Sequence, residues 1–273
     1  MTAPTPSFRV RVDVTNPGQF FACCGLLEFA SRLATNDATV APALAWFEQD
    51  SASRQWHFHL ANTSPLADLL EKITAAEIKV LDHTDNHSAV EIASPFNLRL
   101  DWWRYENRAT GKLKTWAGQM KASSILATLR TEMKKALSLQ DKQNLFAIEA
   151  APTDAVSYFD APRSANVAAR DVGFSMDRLK KGGVVFRNIL HPFIEFFCLI
   201  GLQRTRPALL KCEPRTEQTY AYHLWLNPIS VAILPVAAIG ELPDCDSNHY
   251  QFANPSRTKD YRAFIAAKAV PTR

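Results

Sequence analysis

The sequence predicts an α+β fold. Three observations carry that expectation. Residues 8–14 (FRVRVDV) alternate with period two, residues 19–34 (QFFACCGLLEFASRLA) repeat their apolar positions at helical spacing, and further short alternating segments recur along the chain between helical stretches. In the first segment Phe8, Val10, Val12 and Val14 point one way, as a half-buried strand requires. The turn Thr15-Asn16-Pro17-Gly18 follows, and Phe20, Cys23, Cys24, Leu27 and Ala30 then share one face of a largely buried helix.

Residues 43–47 and 55–60 read as two strands joined by polar residues 48–54. Ser64-Pro65 opens the next helix, with Ser64 as its cap, Pro65 at the first helical position, and Leu66, Leu69, Leu70 and Ile73 as its apolar stripe. Either 77–81 or 90–93 supplies the following strand. Strand, helix, strand, strand, helix, strand is the order of a ferredoxin-like domain, which leaves one sheet face open. RNA-recognition domains use that face.

Residues 97–103 (NLRLDWW) and 112–116 (KLKTW) alternate on either side of a polar, glycine-containing stretch, so they read as a long hairpin with a basic tip. Trp102 and Trp103 would point to opposite faces. A helix spans about 117–137, with Ile125, Leu126, Leu129, Met133 and Leu137 as its apolar positions. Residues 160–186 have few apolar runs and read as a mobile segment; 188–202 reads as a buried helix. Residues 220–226 and 229–234 read as paired strands around Asn227-Pro228, and 254–273 as a polar tail without a core element. No internal repeat is evident. The expected organisation is a ferredoxin-like region over 1–95, a basic hairpin and helix over 96–150, and a C-terminal region with α/β insertions over 151–273, packed as one large domain.

The chain has 273 residues, 47% hydrophobic and 21% charged, a globular composition that excludes a largely disordered chain. The longest apolar stretch, 189–202, is broken by His191, Pro192 and Glu195, and residues 1–11 lack the apolar centre of a signal peptide, so a cytoplasmic protein without membrane contact is expected. The five cysteines show no C-x-x-C spacing, which argues against structural zinc and a disulfide framework; Cys23 and Cys24 read as core residues. The formal net charge is +4, but residues 99–142 and 163–215 each carry +6, leaving −8 for the remainder. Such segregation favours an anionic partner, with nucleic acid foremost.

Motifs for phosphate-binding loops, dinucleotide folds, serine hydrolases and zinc proteases are missing, and neither a cofactor nor a metal is expected. His57 and His59 share a strand face, and His83 and His87 lie in a polar patch with Asp82 and Asp85. His191 reads as a core or cap residue. A metal-independent ribonuclease could use one histidine as general base, but nothing selects which. The candidate backbone-binding cations of the first basic block are Arg99, Arg104, Arg108, Lys112, Lys114 and Lys121. Those of the second are Arg163, Arg170, Arg178, Lys180 and Lys181, ahead of Gly182-Gly183. Trp103, Tyr105 and Trp116 sit among the first set and are candidates for base stacking; a hairpin that buries its tryptophans is the competing reading.

Several strings resemble one family: VDVTNPGQFFACCGLLEFASRL, LRLDWW followed by LKTWAGQM, ARDVGFSMDRL, and IGLQRTRP followed by YHLWLNP. Together they resemble the third Csb-type protein of type I-U (I-G) CRISPR-associated systems. The resemblance runs from residue 12 to about 234. It implies a subunit or accessory of a CRISPR RNA-guided interference complex, with guide RNA or target DNA and other CRISPR-associated subunits as partners. In such complexes base pairing reads sequence while protein holds backbone and shape. It also implies ferredoxin-like RNA-binding (RAMP-type) architecture, although a glycine-rich C-terminal loop is not evident. An endoribonuclease maturing CRISPR RNA and a protein–protein scaffold are the two other functions these features allow.

Overall fold

The computed structural model describes residues 4–35, 41–82, 87–106, 111–118, 120–137, 142–150, 157–162, 179–181, 184–186, 189–212, 218–243, 247–255 and 262–271. Strand β1 (Phe8–Val12) leads into helix α1 (Pro17–Thr35), then β2 (Leu44–Gln49), β3 (Trp56–Ala61) and α2 (Leu66–Ala75). Next come β4 (Ile78–Val80), β5 (Val90–Ile92), β6 (Leu98–Leu100), a 3₁₀ turn at Trp102–Arg104 and α3 (Ala122–Leu137). After the 3₁₀ segment Lys142–Ala147 lie β7 (Leu179–Lys181) and β8 (Val184–Phe186), then α4 (Pro192–Arg204), β9 (Ala208–Cys212) and β10 (Gln218–Trp225). The described chain ends with β11 (Ile229–Ser230), α5 (Leu234–Ala238), β12 (Ser247–Ala253) and β13 (Lys268–Val270). The fold is α+β with antiparallel sheets. No helix among the described residues is long and apolar enough to cross a membrane.

α1 starts two residues before the expected residue 19, inside the predicted turn, because Asn16 caps it: its side-chain oxygen accepts the Gly18 N–H at 3.0 Å, with Pro17 at the first position. Residues 20–30 of α1 are all buried, and so are 192–202 of α4. Helices apolar all round belong at the centre of a core. They touch backbone to backbone. A Cβ on Gly25 would run into the Phe197 carbonyl oxygen, and one on Gly201 into the Phe21 carbonyl oxygen. The contact is reciprocal, and the sequence is reciprocal too: Phe20-Phe21 precede Gly25-Leu26 with the spacing by which Phe196-Phe197 precede Gly201-Leu202. This correspondence is too short to register as a repeat when the chain is read linearly.

Three residues beyond each glycine stand Glu28 and Arg204, which pair across the crossing; Arg204 Nη2 donates to Glu28 Oε1 at 3.1 Å. Burial alone would raise the Glu28 pKa, but hydrogen bonds and charge from Arg204 and Arg32 outweigh it and hold the carboxyl below its ordinary value. At the helices' other ends, Asn16 Nδ2 donates to buried Asp160 at 2.7 Å, and His191, the residue before α4, bonds the second Asp160 oxygen at 2.8 Å. Glu195 accepts the Phe159 and Asp160 N–H groups at 3.1 and 3.2 Å. His191 is therefore a satisfied cap residue. Cys23, Cys24 and Cys198 are buried free thiols whose pKa burial pushes up, in keeping with a packing role.

Two sheets pack around α1, and α3 packs against α4. The first runs β1-β3-β2-β11 and the second β13-β12-β10-β9. They meet at Phe20, whose ring lies 5.8 Å from Phe47 of the first and 4.3 Å from Tyr222 of the second. In the first sheet β3 lies between β1 and β2, antiparallel to both. β4, expected in the same sheet, pairs instead with β5 in a separate sheet ordered β4-β5-β6. α3 ties down that sheet's approach through Arg130, which donates to the Ala76 carbonyl. Both 78–80 and 90–92 are strands, and they pair with each other rather than competing for one position.

Other expectations need correction. Pro65, rather than Ser64, occupies the cap position of α2, with no side-chain cap bond. The hairpin over 97–116 does not form. β6 pairs with β5, the chain turns at Trp102–Arg104, and 112–116 forms no strand. Instead the Lys112 N–H donates to Gln218 Oε1 and Tyr220 Oη, both at 2.8 Å, docking this stretch on the second sheet. β10 does not hairpin with 229–234; β11 crosses to β2 of the first sheet, and Trp225 Nε1 donates to the Ala45 carbonyl at 2.9 Å on the way. The C-terminal stretch does supply core: Phe264 is fully buried, 5.0 Å from Phe252 and 5.2 Å from Phe159, and 268–270 adds an edge strand. Most of 160–186 lies outside the described residues.

The glycine crossing leads to a test. Gly201→Ala should lose about 3 kcal/mol in urea unfolding, the upper part of the range for overpacking a core. Gly118→Ala, at an exposed position where an added Cβ meets nothing within 4 Å, should stay within about 0.5 kcal/mol of wild type.

Candidate nucleic-acid interface

The alternation of β1 sends Val10 and Val12 inward and Arg9 and Arg11 outward. Register then decides their neighbours. Arg9 lies opposite His59, which is opposite Trp46, while Arg11 lies opposite His57, which is opposite Glu48. Directly opposed residues share a face, so the outer face of this sheet carries two arginines on an edge strand, two histidines in the middle, and Trp46 and the carboxylate Glu48 on the next strand. Trp46 and His59 stack at 5.1 Å with their planes 8° apart, and both are buried. Glu48 Oε2 lies 3.3 Å from His59 Nε2.

Burial lowers the pKa of both histidines, and the charge of Arg9 adds to the effect. They are neutral at pH 7, which leaves Arg9 and Arg11 as the cations of the face. Both are exposed, and neither forms an ion pair among the described residues. The half-buried, neutral His57 ring opposite Arg11 can donate one hydrogen bond and accept another.

The residues singled out from sequence fare differently. Arg99 is exposed on β6 but held 2.8 Å from Asp101, and Arg104 lies 3.6 Å from Asp82. Lys114 is half-buried, 3.4 Å from His87 Nδ1 and 5.3 Å from the centre of the Trp116 ring, with its pKa lowered by burial. Lys112 and Lys121 are exposed. Trp103 and Trp116 are 4% and 2% exposed, and with Trp102 they form an edge-to-face cluster at 5.7–5.9 Å. Neither can present a ring face to a base, so the stacking role expected of them is withdrawn; the indoles gain more from each other than from solvent. Tyr105 remains 58% exposed. Arg108, Arg163, Arg170 and Arg178 lie outside the described residues. Lys180 and Lys181 belong to β7, which pairs with β8.

Arg9 and Arg11 belong to neither basic block and were missed for that reason. A signal was present in the x-R-x-R-x pattern of FRVRV beside the H-x-H of WHFHL. Only the pairing register shows that the two patterns face the same way. Among the described residues no three His, Cys, Asp or Glu side chains cluster as a metal site. Scans against protein families, curated proteins and solved structures find no match to this chain.

Beside the tryptophan cluster, Glu106 accepts the Leu113 and Lys114 N–H groups at 2.5 and 2.8 Å, and burial raises its pKa to about 7. A raised folded-state pKa favours the fold at low pH, and that contribution is lost as pH rises through about 7. Wild type should therefore lose thermal stability between about pH 5 and pH 8. Glu106→Gln keeps the acceptor oxygen without the charge and should give a flatter profile in circular-dichroism melts over that window. Parallel profiles would place the pH dependence elsewhere.

Proposed function

We propose that this chain is a nucleic-acid-binding subunit or accessory of a type I-U (I-G) CRISPR RNA-guided interference complex. It works in the cytoplasm, holding guide RNA or target DNA by the backbone of a single strand without cleaving it. The observation that carries the binding half of this reading is the exposed Arg9 and Arg11 on the outer face of β1, without an ion pair among the described residues and beside the neutral His57 ring. Two residues along a strand separate the arginines by about 7 Å, close to the phosphate spacing of an extended single strand. Guanidinium groups bind phosphate through paired N–H donors, and such contacts carry no base identity. The CRISPR assignment draws its support from the motif resemblance. The split β1–α1–β2–β3 unit supports reading this part of the chain as a ferredoxin-like half whose open face takes the strand.

Binding should fall steeply with salt, because each phosphate contact releases condensed counterions. In fluorescence-anisotropy titrations with single-stranded RNA, Arg9→Ala combined with Arg11→Ala should flatten the slope of log affinity against log salt by about 1.4, two contacts' worth on a single strand. A folded double variant with an unchanged slope would remove this face from the interface. Co-expression with its neighbouring CRISPR-associated subunits, followed by sequencing of the bound nucleic acid, tests the assignment to the complex.

A further inference from the structure

A cavity of about 300 Å³ opens at the C-terminal end of β1. Arg11 and Asp13 line it from the β1 end, Gln55 from the residue before β3, Gln19 from the first turn of α1, and Asn144 and Phe146 from the 3₁₀ segment. Continuing the β1–β3 register past Val12 and Trp56 brings Asp13 opposite Gln55. Arg11 and Asp13, two residues apart, leave the same side of the strand. The cavity is therefore continuous with the arginine face and lies at its end.

Its polar groups are one cation, one carboxylate and three carboxamides. Some are already engaged: Gln19 Oε1 accepts the Asp13 N–H at 2.8 Å, and Asp13 Oδ1 accepts from the Thr15 N–H and hydroxyl at 2.9 and 2.7 Å. The side-chain amides of Gln55 and Asn144 have no hydrogen-bond partner among the described residues. A carboxamide offers a donor and an acceptor side by side, the pattern that base edges present. The volume lies at the lower limit of small-molecule pockets, enough for one base and its sugar. Arg11 stands at the rim, where the attached phosphate would be.

We infer that this cavity takes a single unstacked nucleobase from the strand held by Arg9 and Arg11, and that Gln55 and Asn144 bond its polar edge. Asp13 Oδ2, without a hydrogen-bond partner among the described residues, is an acceptor only, so bases with an exocyclic amino group (cytosine, adenine, guanine) fit better than uracil. The inference rests on the reading of the sheet face as a nucleic-acid interface. It adds one position at which a backbone-holding surface registers the base.

The test separates the two layers. Anisotropy titrations compare a short, wholly abasic strand with the same strand carrying one central base. The abasic strand should bind through its phosphates. One cytosine should raise affinity about tenfold, the size of a single base contact, and uracil should raise it less. Gln55→Ala with Asn144→Ala should abolish that gain, leaving the abasic affinity and the salt slope unchanged, because carboxamides neutralise no phosphate. A base that adds nothing, or a gain that survives in a folded double variant, overturns the cavity and leaves the face intact. Failure of both strands to bind the unmodified protein overturns the interface and the cavity together.

Discussion

The backbones of α1 and α4 cross at Gly25 and Gly201 with no side chain between them, and the rest of the architecture follows from that approach. Helices this close offer little of their own surface to water, so each needs an apolar exterior, and the sequence supplies it from Phe20 to Ala30 and from Pro192 to Leu202. Two apolar cylinders in contact need cover on the remaining sides. The two four-stranded sheets meet over the Phe20 ring of α1, while α3 and the 3₁₀ segment Lys142–Ala147 pack against α4. The polar ties sit at the ends of the crossing. Glu28–Arg204 pins one end, while Asn16, Asp160, His191 and Glu195 satisfy each other at the other. Removing one partner from such a buried set leaves an unpaired charge, so these groups fix the angle of the crossing more than they add to its strength.

Local structure was largely legible in the sequence; pairing was not. β1, α1, β2, β3, α2 and α3 lie within a few residues of where periodicity puts them, because each has its own apolar stripe or alternation. The errors concern partners. Residues 112–116 alternate as a strand would, yet their N–H groups go to Gln218, Tyr220 and Glu106, and the three tryptophans collapse on one another. β11 has a strand's composition, but a nearby hairpin and a distant sheet edge look alike until Trp225 fixes the path. Phe264 was hidden because one aromatic in a polar tail has no periodicity to reveal it.

Charge was misleading for a related reason. A run of cations in sequence is a basic surface only if the fold keeps carboxylates away from it. Arg99 and Arg104 each find one within 4 Å, and Lys114 is half-buried. Two arginines in a stretch of ordinary charge stay exposed and, among the described residues, without an ion pair, because strand alternation holds them on one face and their strand neighbours across the sheet are neutral histidines. The candidate interface is thus a product of register, a property that composition does not carry.

The way the sheets are completed has a consequence for the order of events at the ribosome. The β1–β3–β2 sheet receives its last strand from Ile229–Ser230, Ala45 bonds a tryptophan 180 positions away, and Glu28 finds its arginine 176 positions later. The first sheet and α1 therefore cannot be finished early, although the local β4-β5-β6 sheet can. While synthesis runs on towards α4, α1 emerges with an apolar surface that has no partner, a state in which nascent chains aggregate or wait on a chaperone. Contacts this distant also make for slow closure, since the intervening chain must be ordered before they form. The N-terminal third, despite its domain-like run of elements, draws its last strand and the partner of its central helix from the C-terminal half, so cutting the chain after α3 would remove both.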